Sequence, residues 1–375
     1  MICPECNKEM PILEKGEQEV YFCPFCGYEA PTESSSSHEA PKIMTIDAEE
    51  LRNLDIREPE YLIDKLIVKN AVHLIASPMR SYKTFTALAM AFSLANGIDF
   101  LGFRTRKSKV LYLDCESPLE LAKKRQYMIE KGLQREVEKD NLKYMIGERL
   151  DLNSEEGIDK LKFIIKENEA EVVVVDILRG FLENIKESSA DDIREWFQTR
   201  IKPLKDELGI TLIFIMHTRK SRPEDSTYEK WEKIRGSSEL VNLSDLILML
   251  DRRGFENFAE LVCQKNRYGL EAEAFGIVYN FDDSEKELRM EKVDRDTWIL
   301  SQTKYYTSIV LSYLISREKT SFQTKEVKEF LNKQNIKSVN AVANRVLEDL
   351  LNVGKIRKIK RGLWEVITEK QTILQ

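Results

Sequence analysis

Four short apolar runs constrain this chain more than any other feature. They are AVHLIAS (71–77), KVLYLDC (109–115), EVVVVDI (171–177) and TLIFIMH (211–217). Each is rich in β-branched residues and shorter than a buried helix, so each reads as a strand covered on both faces. Between them lie stretches of helical length, such as KTFTALAMAFSLANG (83–97) and DIREWFQTRIKPLKDEL (192–208). Strand and helix in alternation predict an α/β domain, a mostly parallel sheet with helices on both faces. Three later runs, DLILMLD (245–251), FAELVCQK (258–265) and FGIVYNF (275–281), are expected to add strands near a sheet edge.

The tips of these strands carry polar groups. AVHLIAS runs into Ser77-Pro78-Met79-Arg80-Ser81-Tyr82-Lys83-Thr84 and then an apolar helix, the strand–loop–helix setting of a Walker A phosphate loop. Lys83 is expected to reach the β- and γ-phosphates of ATP, and the Thr84 hydroxyl to hold Mg²⁺. The helix N-terminus adds N–H donors. Ser77 and Tyr82 stand where the motif has glycine, and a Tyr beside phosphate is a departure. The bland reading of this loop is an ordinary strand-to-helix turn. Its surroundings favour the phosphate loop. The next strand ends in Asp114-Cys115-Glu116, where Glu116 can polarise an attacking water. EVVVVD ends in Asp176, a Walker B acid for Mg²⁺. His217 closes the fourth run, where it can sense the γ-phosphate. Ligands bind at the carboxyl ends of strands in open α/β sheets, and all these groups fall there. Cys115 and Cys263 sit within apolar runs and are expected in the core.

In this order and spacing the motifs resemble the RepA-like ATPases of the RecA superfamily, relatives of hexameric replicative helicases. The resemblance covers about residues 58–270, through KVLYLDCES, VVVVDILRGF, FIMHTRKS, RGSSELVNLSDLILML and KNRYG. It implies that Lys83 and Thr84 are the Walker A pair, Glu116 the catalytic base, Asp176 the Walker B acid and His217 part of a sensor followed by Arg219 and Lys220. KNRYG resembles the K-x-R-x-G segment of ring helicases, which implies that Lys265 and Arg267 act on a neighbouring subunit's nucleotide. That role requires a homo-oligomeric ring, expected to be a hexamer. Arg235-Gly236-Ser237-Ser238 resembles a family loop near the DNA channel or the subunit interface.

The flanks differ from this middle. Cys3, Cys6, Cys23 and Cys26 form C-x2-C-x16-C-x2-C, two knuckles that close a tetrahedral Zn²⁺ site. Redox dithiols are the runner-up. Four closed ligands point to structure rather than catalysis. Residues 1–29 are therefore expected to be a zinc ribbon and the Ser/Pro-rich 30–45 a linker. The ATPase domain is expected over 46–298 and a winged helix over 299–375. There, helices at 305–317, 324–334 and 338–354 precede two short strands around Arg361-Gly362. The third helix offers Asn340, Asn344 and Arg345 to a DNA major groove; Lys355, Arg357, Lys358, Lys360 and Arg361 face phosphates. The net charge of −6 divides into +7 over residues 301–375 and −13 over the rest, which localises nucleic-acid contact to that end. A protein-docking winged helix is the alternative. The opening MICPEC has neither the basic nor the apolar stretch of a secretory signal, and no apolar run is long enough to span a bilayer. These features predict a cytoplasmic protein without a membrane partner.

Overall fold

In a computed structural model the cysteine-rich start folds onto three antiparallel strands, β1 (Ile12–Lys15), β2 (Gln18–Phe22) and β3 (Glu29–Pro31). A short helix, α1 (Ala48–Asn53), follows. These elements belong to one unit, residues 1–58; residues 59–375 form a second. The structure describes residues 2–15, 18–31, 46–54, 58–148, 150–183, 185, 189–218, 238–251, 257–282, 284, 286–317, 319–334 and 339–367. Most of the expected linker lies outside these, as do Arg219, Lys220, Arg235, Gly236 and Ser237.

The second unit opens with a hairpin, β4 (Tyr61–Ile63) and β5 (Ile67–Val68). The alternation then begins: β6 (Val72–Ser77), α2 (Lys83–Asn96), β7 (Val110–Asp114), α3 (Leu119–Leu133), β8 (Leu142–Ile146) and α4 (Glu155–Glu167). It continues with β9 (Val172–Asp176), α5 (Ala190–Trp196), α6 (Lys202–Leu208) and β10 (Thr211–His217). A single π-helical turn joins α5 to α6. After α7 (Ser238–Leu243) come β11 (Leu246–Asp251), β12 (Phe258–Asn266), β13 (Phe275–Phe281) and β14 (Leu288–Val293). Nine strands form one sheet in the order β14-β13-β12-β11-β6-β10-β9-β7-β8. The six from β11 to β8 are parallel, and the remaining three are antiparallel.

The run at 245–251 is not near an edge: β11 lies between β6 and β12, parallel to β6. The edge on that side is β14, whose charged LRMEKV buries only Leu288.

Each face of the sheet has its own core. Ile75, Tyr112, Val174 and Ile215 pack with α2 on one face; Leu74, Leu113, Val175 and Phe214 pack with α4, α5 and α6 on the other. Helix α2 is apolar nearly all round because the sheet lies below it and α3 beside it. Cys115 is half-buried and Cys263 buried.

His73, fully buried on β6, accepts a hydrogen bond at Nε2 from the Val68 N–H at 2.9 Å, so its Nδ1–H faces the Leu212 carbonyl at 3.3 Å. Burial holds this imidazole neutral and pushes its pKa down from 6.5 to about 4. The unfolded chain takes up the proton first, so this contribution is complete above pH 6.5 and is lost as pH falls toward 4. It amounts to about 3 kcal/mol. Urea unfolding of the second unit between pH 7 and 4 should show this loss, and His73→Gln should flatten it.

The chain ends in α8 (Arg295–Ile315), β15 (Ser321–Gln323), α9 (Thr324–Lys333), α10 (Val339–Asn352), β16 (Ile356–Lys360) and β17 (Leu363–Val366). The three strands pair in the order β15-β17-β16 over a core of Val310, Leu314, Phe322, Val327, Val346 and Ile356. Helix α8 starts well before the expected 305 and runs through the expected boundary at 298/299. Asp294 caps it by accepting from the Thr297 N–H at 2.8 Å. Its first turn is fixed to the large sheet: Trp298 stacks on Phe258 at 4.2 Å, and Arg295 pairs with the buried Glu260 at 2.7 Å. Among the described residues no helix is long and apolar enough to cross a membrane.

Candidate functional site

Parallel pairing sets the strand tips side by side. His217 is in register with Ser77, and Asp114 with Asp176. The loop from Ser77 turns back through two left-handed residues, Arg80 (φ 61°) and Tyr82 (φ 63°), and α2 begins at Lys83. Ser77 and Ser81 both donate their hydroxyls to the Pro78 carbonyl, which closes the loop on itself.

Lys83 is 9% exposed. Burial lowers its pKa, and the charge of Arg125 adds to that; the carboxylates of Asp176 and Glu116 oppose it. Asp176 is buried, and that burial raises its pKa to about 6. It accepts from the Tyr112 hydroxyl at 2.8 Å and is hydrogen-bonded by the Thr84 side chain. A carboxylate and a hydroxyl side by side beside a lysine suit a hard, oxygen-seeking cation such as Mg²⁺. Glu116 is exposed just beyond β7. Its backbone N–H and that of Ser117 donate to Asp114 Oδ1 at 3.0 and 2.9 Å, which fixes the loop that carries it. His217 is half-buried beside Ser77.

Tyr82 does not fill this space. Its ring stacks on Tyr279 at 4.3 Å and lies 5.9 Å from Phe281, both on β13. In the sheet order β13 is three strands to one side of β6, while Asp176 on β9 is two strands to the other. The ring therefore points away from the acids. A left-handed non-glycine residue costs about 1–2 kcal/mol, and an aromatic pair contributes about 0.5–1.5 kcal/mol beyond its buried area. The stack offsets the missing glycine. Tyr279 also shares a hydrogen bond with Thr86 at 2.7 Å, in the first turn of α2. Tyr279→Ala should lower stability by about 3–5 kcal/mol, and Tyr279→Phe by about 1 kcal/mol, measured as denaturant midpoints. Tyr82→Gly should bring no gain in ATP affinity, since the ring obstructs nothing.

Lys265 and Arg267 lie elsewhere. Lys265 Nζ donates to the carbonyls of Val241, Asn242 and Ser244 at 2.7–2.9 Å, across the C-terminal end of α7. Burial lowers its pKa. Arg267 pairs with Asp245 at 3.3 Å and donates to the Asn242 carbonyl. Asp245 in turn accepts from the Val72 N–H at the start of β6. These cations thus sit at the opposite end of the sheet from Ser77, roughly the 17 Å length of β6 away.

In the N-terminal unit all four cysteine sulfurs lie within 4.8 Å of one another, with Cys3–Cys26 and Cys6–Cys23 both at 3.4 Å. Sulfurs on one tetrahedral zinc stand about 3.8 Å apart, so the donor set fits that ion. The two knuckles share one backbone pattern. Cys3 N–H bonds the Lys8 carbonyl and Cys23 N–H that of Tyr28; Asn7 N–H returns to Cys3 and Gly27 N–H to Cys23. Asn7 and Gly27 are both left-handed, as such a turn requires.

In the C-terminal module Asn340 and Asn344 are exposed on α10, and Arg345 is half-buried. Arg357 pairs with Glu365 at 2.6 Å, and Lys358 lies over the Trp364 ring at 5.5 Å. Lys355, Lys360 and Arg361 are exposed, without ion pairs among the described residues.

Sequence reasoning missed Tyr112, Asp114 as a loop holder, Arg125 and Tyr279. Only Asp114, two residues before Glu116 at a strand tip, carried a local signal.

Residues 37–223 match the family model described as an AAA domain, just under half of the chain. No protein with curated annotation matches. A solved structure of an ATPase domain is similar at 16% identity and a TM-score of 0.44, over 59% of this chain and 85% of that one. The family match falls on the segment whose strand tips bring Lys83, Thr84 and Asp176 together, and this segment is similar to the AAA domain family.

Proposed function

We propose that this chain is a DNA-associated ATPase, of the replicative-helicase kind, that hydrolyses Mg–ATP in a homo-oligomeric ring. The observation that carries the reading is the meeting of Lys83, Thr84 and Asp176 beside the exposed Glu116. Lys83 and the first N–H groups of α2 bind phosphate. Thr84 and Asp176 would hold Mg²⁺, which neutralises charge on the phosphates when bound. Glu116 orients the attacking water and accepts its proton, and His217 responds to the terminal phosphate from the neighbouring strand. Arg267 exchanges Asp245 for the nucleotide of the adjacent subunit, with Lys265 beside it. Their distance from Lys83 of the same chain supports a role across an interface.

The cysteine cluster is read as a structural zinc ribbon and residues 295–367 as a winged helix. The helix–strand–helix–helix–hairpin order and the basic charge support the latter. Asn340, Asn344 and Arg345 then face base edges. Lys355, Lys360 and Arg361 are the available phosphate contacts, while Arg357 and Lys358 are partly engaged by Glu365 and Trp364. Lys360→Glu with Arg361→Glu should weaken binding to duplexes of any sequence and reduce the salt slope of log K by about 2.

The rival is a non-hydrolysing DNA-binding initiator built on the same fold, for which the loop without glycines speaks. Phosphate release with and without DNA separates the two. Stimulation by DNA supports the enzyme. A parent as inactive as Glu116→Ala, with DNA binding intact, sinks it.

A further inference from the structure

One cation beside the first turn of α2 belongs to none of the motifs. Arg125 stands in the middle of α3, a half-buried side chain 21% exposed. Its Nη1 donates to Ser117 Oγ at 2.6 Å. The nearest carboxylate, Asp114 Oδ2, is 3.9 Å away, too far for a hydrogen bond. The guanidinium carbon lies 5.9 Å from the ring centre of Phe85, in the first turn of α2. Nε and Nη2 have no hydrogen-bond partner among the described residues.

The guanidinium thus lies between the loop that carries Glu116 and the first turn of α2, with Asp114 as its ion-pair partner at 3.9 Å and two donor groups left over. The nearby carboxylates leave those donors without a hydrogen bond. Asp114 Oδ1 holds two backbone N–H groups, and Asp176 is held by Tyr112 and Thr84. Glu116 extends into solvent. Ser117, which anchors the guanidinium, follows Glu116 directly, so Arg125 and Glu116 are presented by one loop. A planar guanidinium with free donors matches phosphate oxygens in a way that a single ammonium does not.

We infer that Arg125 is a nucleotide-binding residue acting within its own chain, where it receives the terminal phosphate of a nucleoside triphosphate beside Lys83. This rests on the phosphate site proposed above. It makes Arg125 the group that separates triphosphate from diphosphate, because the diphosphate lacks the phosphate that Arg125 receives.

Calorimetry of the full chain with Mg²⁺ and either ADP or the β,γ-imido analogue of ATP tests it. Arg125→Gln should lose triphosphate affinity by about tenfold to a hundredfold and keep that for ADP. Arg125→Lys should recover part of the loss, since charge returns without the fork. Ser117→Ala, which removes the anchor but not the cation, should keep the preference for triphosphate. Equal losses for both nucleotides, no loss in Arg125→Gln, or a Ser117→Ala that reproduces it, would each overturn the assignment and leave Arg125 as a loop support. A parent that binds neither nucleotide overturns the phosphate site itself.

Discussion

Glu116→Gln is expected to lower ATP turnover by about two to four powers of ten while leaving nucleotide affinity near that of the parent. Glutamine matches the shape but accepts no proton at neutral pH. The loop should not move, because its shape depends on backbone N–H groups bonded to Asp114 rather than on the Glu116 side chain. Glu116 is exposed, so the substitution carries no core penalty. Lys83→Ala is the contrasting case, since it removes the buried ammonium and should reduce binding itself. Steady-state phosphate release beside equilibrium binding gives the two patterns. If Glu116→Gln turns over at the parental rate, the water-activating group is another residue.

Stripping metal from the cysteine cluster is expected to unfold the N-terminal unit and leave the second unit folded. Among its described residues the first has almost no apolar interior: the buried cluster is Cys3, Met10 and Cys23. A structural zinc site of four thiolates is worth on the order of 10–16 kcal/mol at neutral pH, more than this interior can replace. The second unit draws on separate cores on each face of its sheet. The parent should release one zinc per chain to a chromogenic chelator. After chelation, four cysteines gain reactivity toward a thiol reagent, while Cys115 and Cys263 keep their protection in the second unit. All four tryptophans lie beyond residue 58, so their fluorescence should not change. A metal-free chain with unaltered thiol protection would mean that the ribbon stands without an ion.

The strands that carry the site were legible because burial on both faces leaves an unbroken apolar run, and each such run ends where the sheet ends. The structure gives the four within one residue of their expected bounds. The position of β11 was not legible. Its LILMLD has the composition of any covered strand, and neither direction nor neighbour is written in composition. The start of α8 was lost because Arg295, Asp296 and Thr297 resemble a loop until Asp294 is seen to cap them. Lys83, Thr84, Glu116, Asp176 and His217 stood out as candidates because strand tips converge in any parallel sheet. Arg125 could not, since within KKR on a helix it looks like one more solvated charge. The direction of the Tyr82 ring depends on Tyr279, which local spacing does not connect to it.

The stack of Tyr82 on Tyr279 also bears on how this loop can evolve. A glycine at 82 needs no companion, whereas a bulky residue there is viable only with a flat surface on β13 to receive it. Positions 82 and 279 should therefore drift as a pair among homologous chains. Lineages that restore glycine in the loop are free to lose the aromatic on the strand, and a search pattern that insists on Gly-Lys-Thr will pass over those that keep both.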